Sequence, residues 1–305
     1  MHWRIKGITQ KVLSVVPGGG RVNDMLQRTL GELGDFERHA SSKVSDWCIL
    51  VSHIKALGIR PGGLDYLEIG TGWFPTFPMC FSLVNAQTCK TYDLFRHLSR
   101  RLTSRMLARL QAHLPTIARA GTRAIDDVEA DYAHMVAASS VQELLRRGRI
   151  EYRAPADATA TELPDESVDV VFSNSVLEHV PCETISRMML ETRRVLRSGG
   201  LAIHSVNCGD HYAYFDKRIT PINYLQFPER SWRFWNNRLL YQNRLRPQDF
   251  VAQAETAGLH VVLTRYRPRP ELLAALPTIE LAPEFRGYSR EQLCSTSLDF
   301  AAVKR

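Results

Sequence analysis

No apolar run in this 305-residue chain approaches the roughly eighteen residues that a membrane-spanning helix requires, which excludes a transmembrane helix from the reading. The N-terminus is cationic, but its apolar run from Val12 to Val16 is broken by Ser14. Pro17-Gly18-Gly19-Gly20 follows without a small-residue cleavage pattern, which argues against secretion. The six cysteines (Cys48, Cys80, Cys89, Cys182, Cys208, Cys294) form no C-x-x-C pair. That speaks against a zinc ribbon and a disulfide framework, and for a reducing, cytoplasmic compartment. Lysine is scarce: seven of the 39 basic residues, in a chain of net charge +7. Arginine forks suit phosphate or carboxylate partners, although so mild an excess speaks to association rather than to fold. Internal repeats and low-complexity tracts are absent, which leaves one large α/β core with additions.

Residues 1–40 read as an N-terminal helical arm. A short amphipathic helix (Trp3, Ile5, Ile8, Val12, Val15 against Arg4, Lys6, Lys11) precedes a glycine break and a second helical piece from Val22 to Leu33. The amphipathic helix offers two contacts, packing on the core, which the short apolar face favours, or lying peripherally on a membrane. Residues 41–305 read as the main domain. Ser41-Ser42 caps a helix through about Leu57, ended by Gly58 and the Pro61-Gly62-Gly63 turn. Strands and helices then alternate: a strand at Asp65 to Ile69, a helix near Phe77 to Asn85, and strands at Thr88 to Tyr92, Ile150 to Arg153 and Asp169 to Ser173. A helix at Cys182 to Arg197, a Ser198-Gly199-Gly200 turn and a strand at Leu201 to Val206 follow. Alternation of this kind predicts a Rossmann-like, seven-stranded, mostly parallel sheet with helices on both faces. Insertions fall at about 94–149, helical, and 207–246, aromatic and basic. A helix at Pro247 to Ala257 and strands at His260 to Arg265 and Ser295 to Val303 close the chain, the last strand antiparallel.

The stretch LDYLEIGTGWFPTFP, Leu64 to Pro78, runs a buried strand into Gly70-Thr71-Gly72, a turn without bulk at the strand's carboxyl end. Such a turn admits an adenosine-containing ligand. Glu68 lies two residues before the first glycine, where a carboxylate meets a cationic ligand group rather than a pyrophosphate. With the block PDESVDVVFSNSVLEHV, Pro164 to Val180, this resembles the class I S-adenosylmethionine-dependent methyltransferases of the type 11 kind. The resemblance runs from about residue 64 to the C-terminus. It implies S-adenosylmethionine as cofactor, held by Glu68, Gly70 and Gly72, with Asp93 on the ribose hydroxyls, Asp157 and Ala158 at the adenine, and Asn174 beside the transferring methyl. A carboxylate suits a vicinal diol because it has two acceptor oxygens; Asp93 also suits an N-terminal helix cap. Phe74 stands where the family has a third glycine, and Trp73-Phe74-Pro75 is expected to pack beneath the cofactor.

Glu178 and His179 match part of a Glu-x-x-Glu-His metal site known in a subgroup, but Ser175 replaces the first glutamate, so no metal site is expected. His179 reads as a base or as a loop-closing hydrogen-bond partner. Asp210 and His211 read as a second base or as loop packing. The stretch from Asp210 to Phe250 and the arm sequence PGGGRVNDMLQRTLGEL resemble bacterial methyltransferases of surface-glycan assembly. That implies a small-molecule or glycan hydroxyl as acceptor, with Tyr212, Tyr214, Tyr224 and Trp232 stacking on it; the same aromatics also suit a secondary apolar cluster. Arg96, Arg100, Arg101, Arg105 and Arg109 read as a solvated helix face or a phosphate-reading stripe. The absence of an Asn-Pro-Pro-aromatic sequence disfavours a nucleic-acid acceptor. The expected function is O-methylation by in-line transfer. The rivals are a nicotinamide-dependent oxidoreductase on a related sheet and a catalytically silent S-adenosylmethionine-binding module.

Overall fold

The computed structural model describes residues 2–16, 36–237 and 239–305. The helical piece expected from Val22 to Leu33 lies outside the described residues. Seven strands, β1 (Asp65–Ile69), β2 (Thr88–Tyr92), β3 (Ile150–Arg153), β4 (Val168–Asn174), β5 (Leu196–Asn207), β6 (His260–Arg265) and β7 (Ser297–Val303), form one sheet in the order β3-β2-β1-β4-β5-β7-β6. β7 runs antiparallel to β5 and β6, and the remaining neighbours pair in parallel. The order reverses between β1 and β4, which opens a crevice at the carboxyl ends of those strands.

Alternation along each strand divides the core in two. Tyr66, Phe172, Ile203 and Ala301 face one side, where they meet α2 (Phe36–Ala56) and α3 (Thr76–Leu83). The insertion after β2 packs on the same side as α4 (Arg100–Leu110), α5 (Leu114–Gly121), α6 (Ile125–Val136) and α7 (Val141–Arg147). Leu67, Ile69, Val171, Ala202 and Phe300 face the other side, against α8 (Cys182–Val195) and α10 (Pro247–Thr256). Glu68 and Asn174 therefore share the α2 face, since each is an even step from Tyr66 or Phe172. At the opposite strand ends Arg197 bridges Asp65 and Asp169 at 3.0 and 2.8 Å.

Three expectations are corrected. α2 is already helical at Phe36, where the described residues resume, and does not start after Ser41-Ser42. Phe36 is buried edge-on against Phe74, ring centroids 5.1 Å apart, under the Arg105 guanidinium, and that tertiary contact extends the helix. The Ser198-Gly199-Gly200 segment lies inside β5, where the register with β4 shifts between Val168 and Val170. Gly199 takes φ +78°, and a Cβ on Gly200 would stand 2.8 Å from the Arg197 carbonyl, so the glycines bend a strand rather than end a helix. In α1 (Trp3–Val15) the apolar stripe faces outward: Ile5, Ile8, Val12 and Val15 are exposed, and Trp3, Gly7 and Gln10 are buried. Gly7 decides this, because its missing side chain lets the Trp235 ring approach to where a Cβ would be 2.8 Å away.

Trp3 joins Tyr212, Tyr224, Leu225 and Trp232 in a third apolar cluster under the 207–246 insertion, which contains α9 (Glu229–Trp235). Two short helices, α11 (Pro270–Ala275) and α12 (Arg290–Cys294), complete that cluster through Leu272 and Leu293. Arg246, fully buried, ties it to α12 and to the residues that follow β5 and α12. Its guanidinium donates to the carbonyls of Cys208 (2.9 Å), Gln292 (3.3 Å), Leu293 (3.4 Å) and Ser295, and to the Tyr224 hydroxyl (2.7 Å). Replacing Arg246 with Met strands those acceptors in an apolar interior, at about 1–3 kcal/mol for each one left unsatisfied. Arg246→Met is expected to lower unfolding stability by about 3 kcal/mol or more, measured by urea denaturation. A change below about 1 kcal/mol would show that the hub is not needed.

Candidate functional site

β1 and β2 pair in register, so Glu68 lies beside Thr91. The Thr91 hydroxyl donates to Glu68 Oε2, and Thr91 Oγ1 lies 2.6 Å from Thr71 Oγ1. Burial leaves Glu68 6% exposed and pushes its carboxyl up to about 8, against the smaller pull of the Thr91 hydrogen bond and the Lys43 charge. Past it the chain turns through Gly70 (φ +88°) and Gly72 (φ +63°). A Cβ on Gly70 would strike Val176 at 2.4 Å, whereas one on Gly72 would meet open space. Gly70 is therefore required for packing, and Gly72 borders the opening of the crevice.

Asp93 ends β2. Its Oδ2 accepts the Gly72 N–H at 2.8 Å and its Oδ1 the Phe95 N–H at 2.9 Å. One lone pair remains on each oxygen, the number a vicinal diol needs. After β3 the Ala156 N–H donates to the Asp93 carbonyl at 2.8 Å, which draws the next loop to the same edge. Asp157 on that loop is exposed and closes a local turn on the Thr159 N–H at 2.8 Å, with half-buried Ala158 between them.

Asn174 ends β4 and accepts from Lys43 Nζ at 2.8 Å. The next residue, Ser175, takes the left-handed φ of +56°, a conformation costing a non-glycine residue about 1 kcal/mol. It turns the chain into a 3-10 turn at Leu177–His179, with Glu178 inside and His179 at the surface. Glu178 is 2% exposed and neither carboxylate oxygen accepts a well-aligned hydrogen bond; burial raises its carboxyl to about 8, against the smaller pull of its own and the Asn207 backbone N–H and the Lys43 charge. His179 Nδ1 lies 2.8 Å from the Tyr241 carbonyl, and the His179 and His211 rings are 5.0 Å apart. His211 begins the 3-10 turn His211–Tyr214 that follows β5. Asp210 caps that turn: its carboxylate accepts from Tyr212 N–H (2.9 Å) and Asn223 Nδ2 (3.1 Å), and burial raises it to about 6. Asp210 thus sets the loop that carries His211.

Beside this cluster a cleft of about 320 Å³ opens between α2 and the ends of β4, β5 and β7, lined among others by Asp46, Asn174, Ser175, Asn207, Tyr214 and Asp299. A larger depression of about 440 Å³ sits at the opposite strand ends, where its charges are engaged in the Arg194–Asp165 and Lys304–Glu166 ion pairs. Of the four aromatics expected at an acceptor, only Tyr214 lines the cleft. Tyr212, Tyr224 and Trp232 are buried in the third apolar cluster, whose packing they supply. Phe74 packs with Phe36 and Met106, with Trp73 against the same cluster. Four of the five arginines of the stripe make local contacts: Arg96 with the Ala154 carbonyl, Arg100 with that of Ser139, Arg105 over Phe36, and Arg109 with Glu37.

Lys43 is the residue that sequence reasoning missed. It sits on the buried stripe of α2 formed by Phe36, Ala40, Trp47, Leu50 and Ile54, at spacings of three and four. A lone charge on such a stripe is the signal that could have found it. Besides binding Asn174, it acts electrostatically on Glu68, Glu178 and Asp46.

A family model described as a methyltransferase domain matches residues 116–204, from α5 through β5. The matched residues hold β3, β4 and most of β5. No curated protein matches the chain. Among solved structures, the chain is similar to a geranyl diphosphate methyltransferase crystallised with SAM (13% identity, TM-score 0.47, 89% of this chain and 91% of that one). It is also similar to an S-adenosylmethionine-dependent methyltransferase from Mesorhizobium loti (15%, 0.42, 83% and 96%) and to the [4+2]-cyclase SpnF (13%, 0.42, 80% and 76%). No helix among the described residues is long and apolar enough to cross a membrane.

The Glu68 shift predicts a pH dependence. A carboxyl raised from 4.5 to about 8 in the folded chain stabilises fully below its ordinary value and loses that contribution as pH rises through 8. The ligand-free protein is expected to lose stability between pH 5 and 8, and Glu68→Gln, neutral throughout, to flatten that decline. Denaturation midpoints across this range with parallel wild-type and variant curves would contradict the assignment.

Proposed function

We propose that the protein is an S-adenosylmethionine-dependent methyltransferase acting on the oxygen of a hydroxylated small molecule or glycan intermediate. The observation that carries the reading is the charge pattern at one strand edge: the Glu68 carboxyl, the Lys43 ammonium and the two remaining acceptor sites of Asp93. These complement an amino-acid zwitterion joined to a ribose diol, with Glu68 toward the ammonium, Lys43 toward the carboxylate and Asp93 toward the hydroxyls. A nicotinamide dinucleotide would instead bring a pyrophosphate against Glu68. The open space at Gly72 and the Asp93 hydrogen bonds suit the cofactor's approach.

The adjoining cleft, with its carboxylates, amides and the Tyr214 ring, supports a polyhydroxylated acceptor. The sulfonium is already activated, so alignment supplies much of the rate. The acceptor oxygen's lone pair forms the bond to the methyl carbon while the carbon–sulfur pair returns to sulfur, leaving a thioether. The hydroxyl proton leaves at the Glu178, His179 and His211 cluster beside the cleft.

Titration calorimetry with S-adenosylmethionine and with a nicotinamide dinucleotide tests the cofactor. The first is expected to bind, and Asp93→Ala, Glu68→Ala and Lys43→Met each to weaken it about tenfold or more, the loss of a charge-assisted hydrogen bond. Dinucleotide binding, or unchanged affinity in all three variants, would overturn the reading. Turnover on sugar, phenol and amine acceptors then separates an O-methyltransferase from a silent binding module, which would bind the cofactor and release no S-adenosylhomocysteine.

A further inference from the structure

Glu178, His179 and His211 each present one ligand atom, and these atoms all lie within 4.8 Å of one another. The residues come from two segments, one after β4 and one after β5, so sequence spacing does not reveal the set. Three atoms no more than 4.8 Å apart all fall within about 2.8 Å of a common centre, against roughly 2.0–2.2 Å for zinc–nitrogen and zinc–oxygen bonds. Closure onto an ion therefore needs an inward movement of about 0.6–0.8 Å at most, within reach of side-chain rotation.

Two further observations point to a cation. Glu178 is 2% exposed, and neither carboxylate oxygen accepts a well-aligned hydrogen bond; the pull of its own and the Asn207 backbone N–H leaves most of the cost of burial uncompensated, a cost that a positive ligand relieves. His179 Nδ1 faces the Tyr241 carbonyl at 2.8 Å; a carbonyl only accepts, so Nδ1 carries the proton and Nε2 keeps its lone pair. That is the orientation metal-ligating histidines adopt.

The surroundings hold the set in place. Three consecutive residues of the insertion, Tyr241, Gln242 and Asn243, contact both segments. Tyr241 orients His179. The Gln242 side chain accepts from the His211 N–H at 3.1 Å and donates to the Gly209 carbonyl. Asn243 donates through its side chain to the carbonyls of Leu177 and Val180 at 2.6 and 2.8 Å, and through its backbone to that of Glu178 at 2.8 Å.

We propose that Glu178, His179 and His211 form a binding site for one divalent transition-metal ion, a two-histidine, one-carboxylate set that leaves coordination positions open beside the acceptor cleft. The donor set suits Zn²⁺, Mn²⁺ or Fe²⁺ and is too rich in nitrogen for Mg²⁺ or Ca²⁺. The missing first glutamate at Ser175 is thereby replaced by a histidine from another element. Tyr214, in ring contact with His211 at 5.5 Å, also lines the cleft, so an acceptor hydroxyl there lies next to the open positions. An ion at this point acidifies a hydroxyl bound at an open position, and the proton passes to water in the cleft, so none of the three ligands has to act as the base. This role in the reaction rests on the methyltransferase reading, whereas the metal site itself does not.

The test uses the full chain stripped with a chelator and titrated with Co²⁺ as a visible probe, then with Zn²⁺ in competition. One equivalent is expected, with ligand-field absorption stronger than that of aqueous Co²⁺. Glu178→Gln and His211→Gln are each expected to weaken binding about tenfold or more, and His134→Gln, an exposed histidine elsewhere, to leave it unchanged. Should the site variants fail to fold, the wild type still decides: Zn²⁺ is expected to shield His179 and His211 from diethyl pyrocarbonate, read by mass spectrometry. Absence of stoichiometric binding, equal binding in all variants, or equal modification with and without Zn²⁺ overturns the proposal. S-adenosylmethionine affinity is measured on the metal-free protein. Cofactor binding without metal binding removes only this site, and metal binding without cofactor binding removes only the methyltransferase reading.

Discussion

The site depends on one constraint, the parallel register of β2, β1, β4 and β5. Parallel neighbours end at a common edge, and pleating sends alternate side chains to a common face. Glu68, Thr91, Asp93 and Asn174 are thereby delivered to one crevice without any being adjacent in the chain. A slip of one residue in β1 would exchange Glu68 for Leu67 and put a carboxylate among the apolar contacts of α8. The glycine turn is the second half of that constraint, since Gly70 passes Val176 too closely for any side chain.

Around this edge the chain adds two elaborations with different duties. The helical insertion after β2 is structural: its arginines bind carbonyls, a ring and a carboxylate, and its apolar face completes the core against α2 and α3. The insertion after β5 builds the other wall of the crevice. Arg246 anchors it by collecting carbonyls that no strand or helix satisfies, and Tyr241 to Asn243 lock the two turns that carry Glu178, His179 and His211. Polar groups are thus concentrated where backbone leaves regular structure, because every buried N–H and C=O there needs a partner from somewhere else.

Much of this was legible. The boundaries read for β1 and β6 match the structure, and β2 and β3 fall where the sequence placed them approximately, because turn residues flank short extended runs. The antiparallel β7 was legible from the closing pair of strands. The errors share a cause. α2 starts earlier than its serines suggest because Phe36 has Phe74 to pack on; α1 turns its apolar stripe outward because Gly7 admits Trp235; and the glycines at 199 and 200 bend a strand where they read as a helix stop. In each case a contact distant in sequence outweighed a local preference. Three of the four aromatics read for an acceptor are core residues for the same reason, as aromatic character by itself does not tell burial from exposure.

The sequence by itself determined the sheet, its glycine turn and the positions of Glu68 and Asp93, since hydrophobic periodicity and turn chemistry are local and survive without knowledge of neighbours. Only the tertiary structure decided that Lys43 belongs to the same crevice, that Asp210 is a cap, and that Glu178, His179 and His211 converge. The meeting of Lys43 with Asn174 joins residues 131 positions apart, and that of the Glu178 turn with His211 joins two separate segments; both depend on how helices and loops pack across the sheet, which no local pattern encodes.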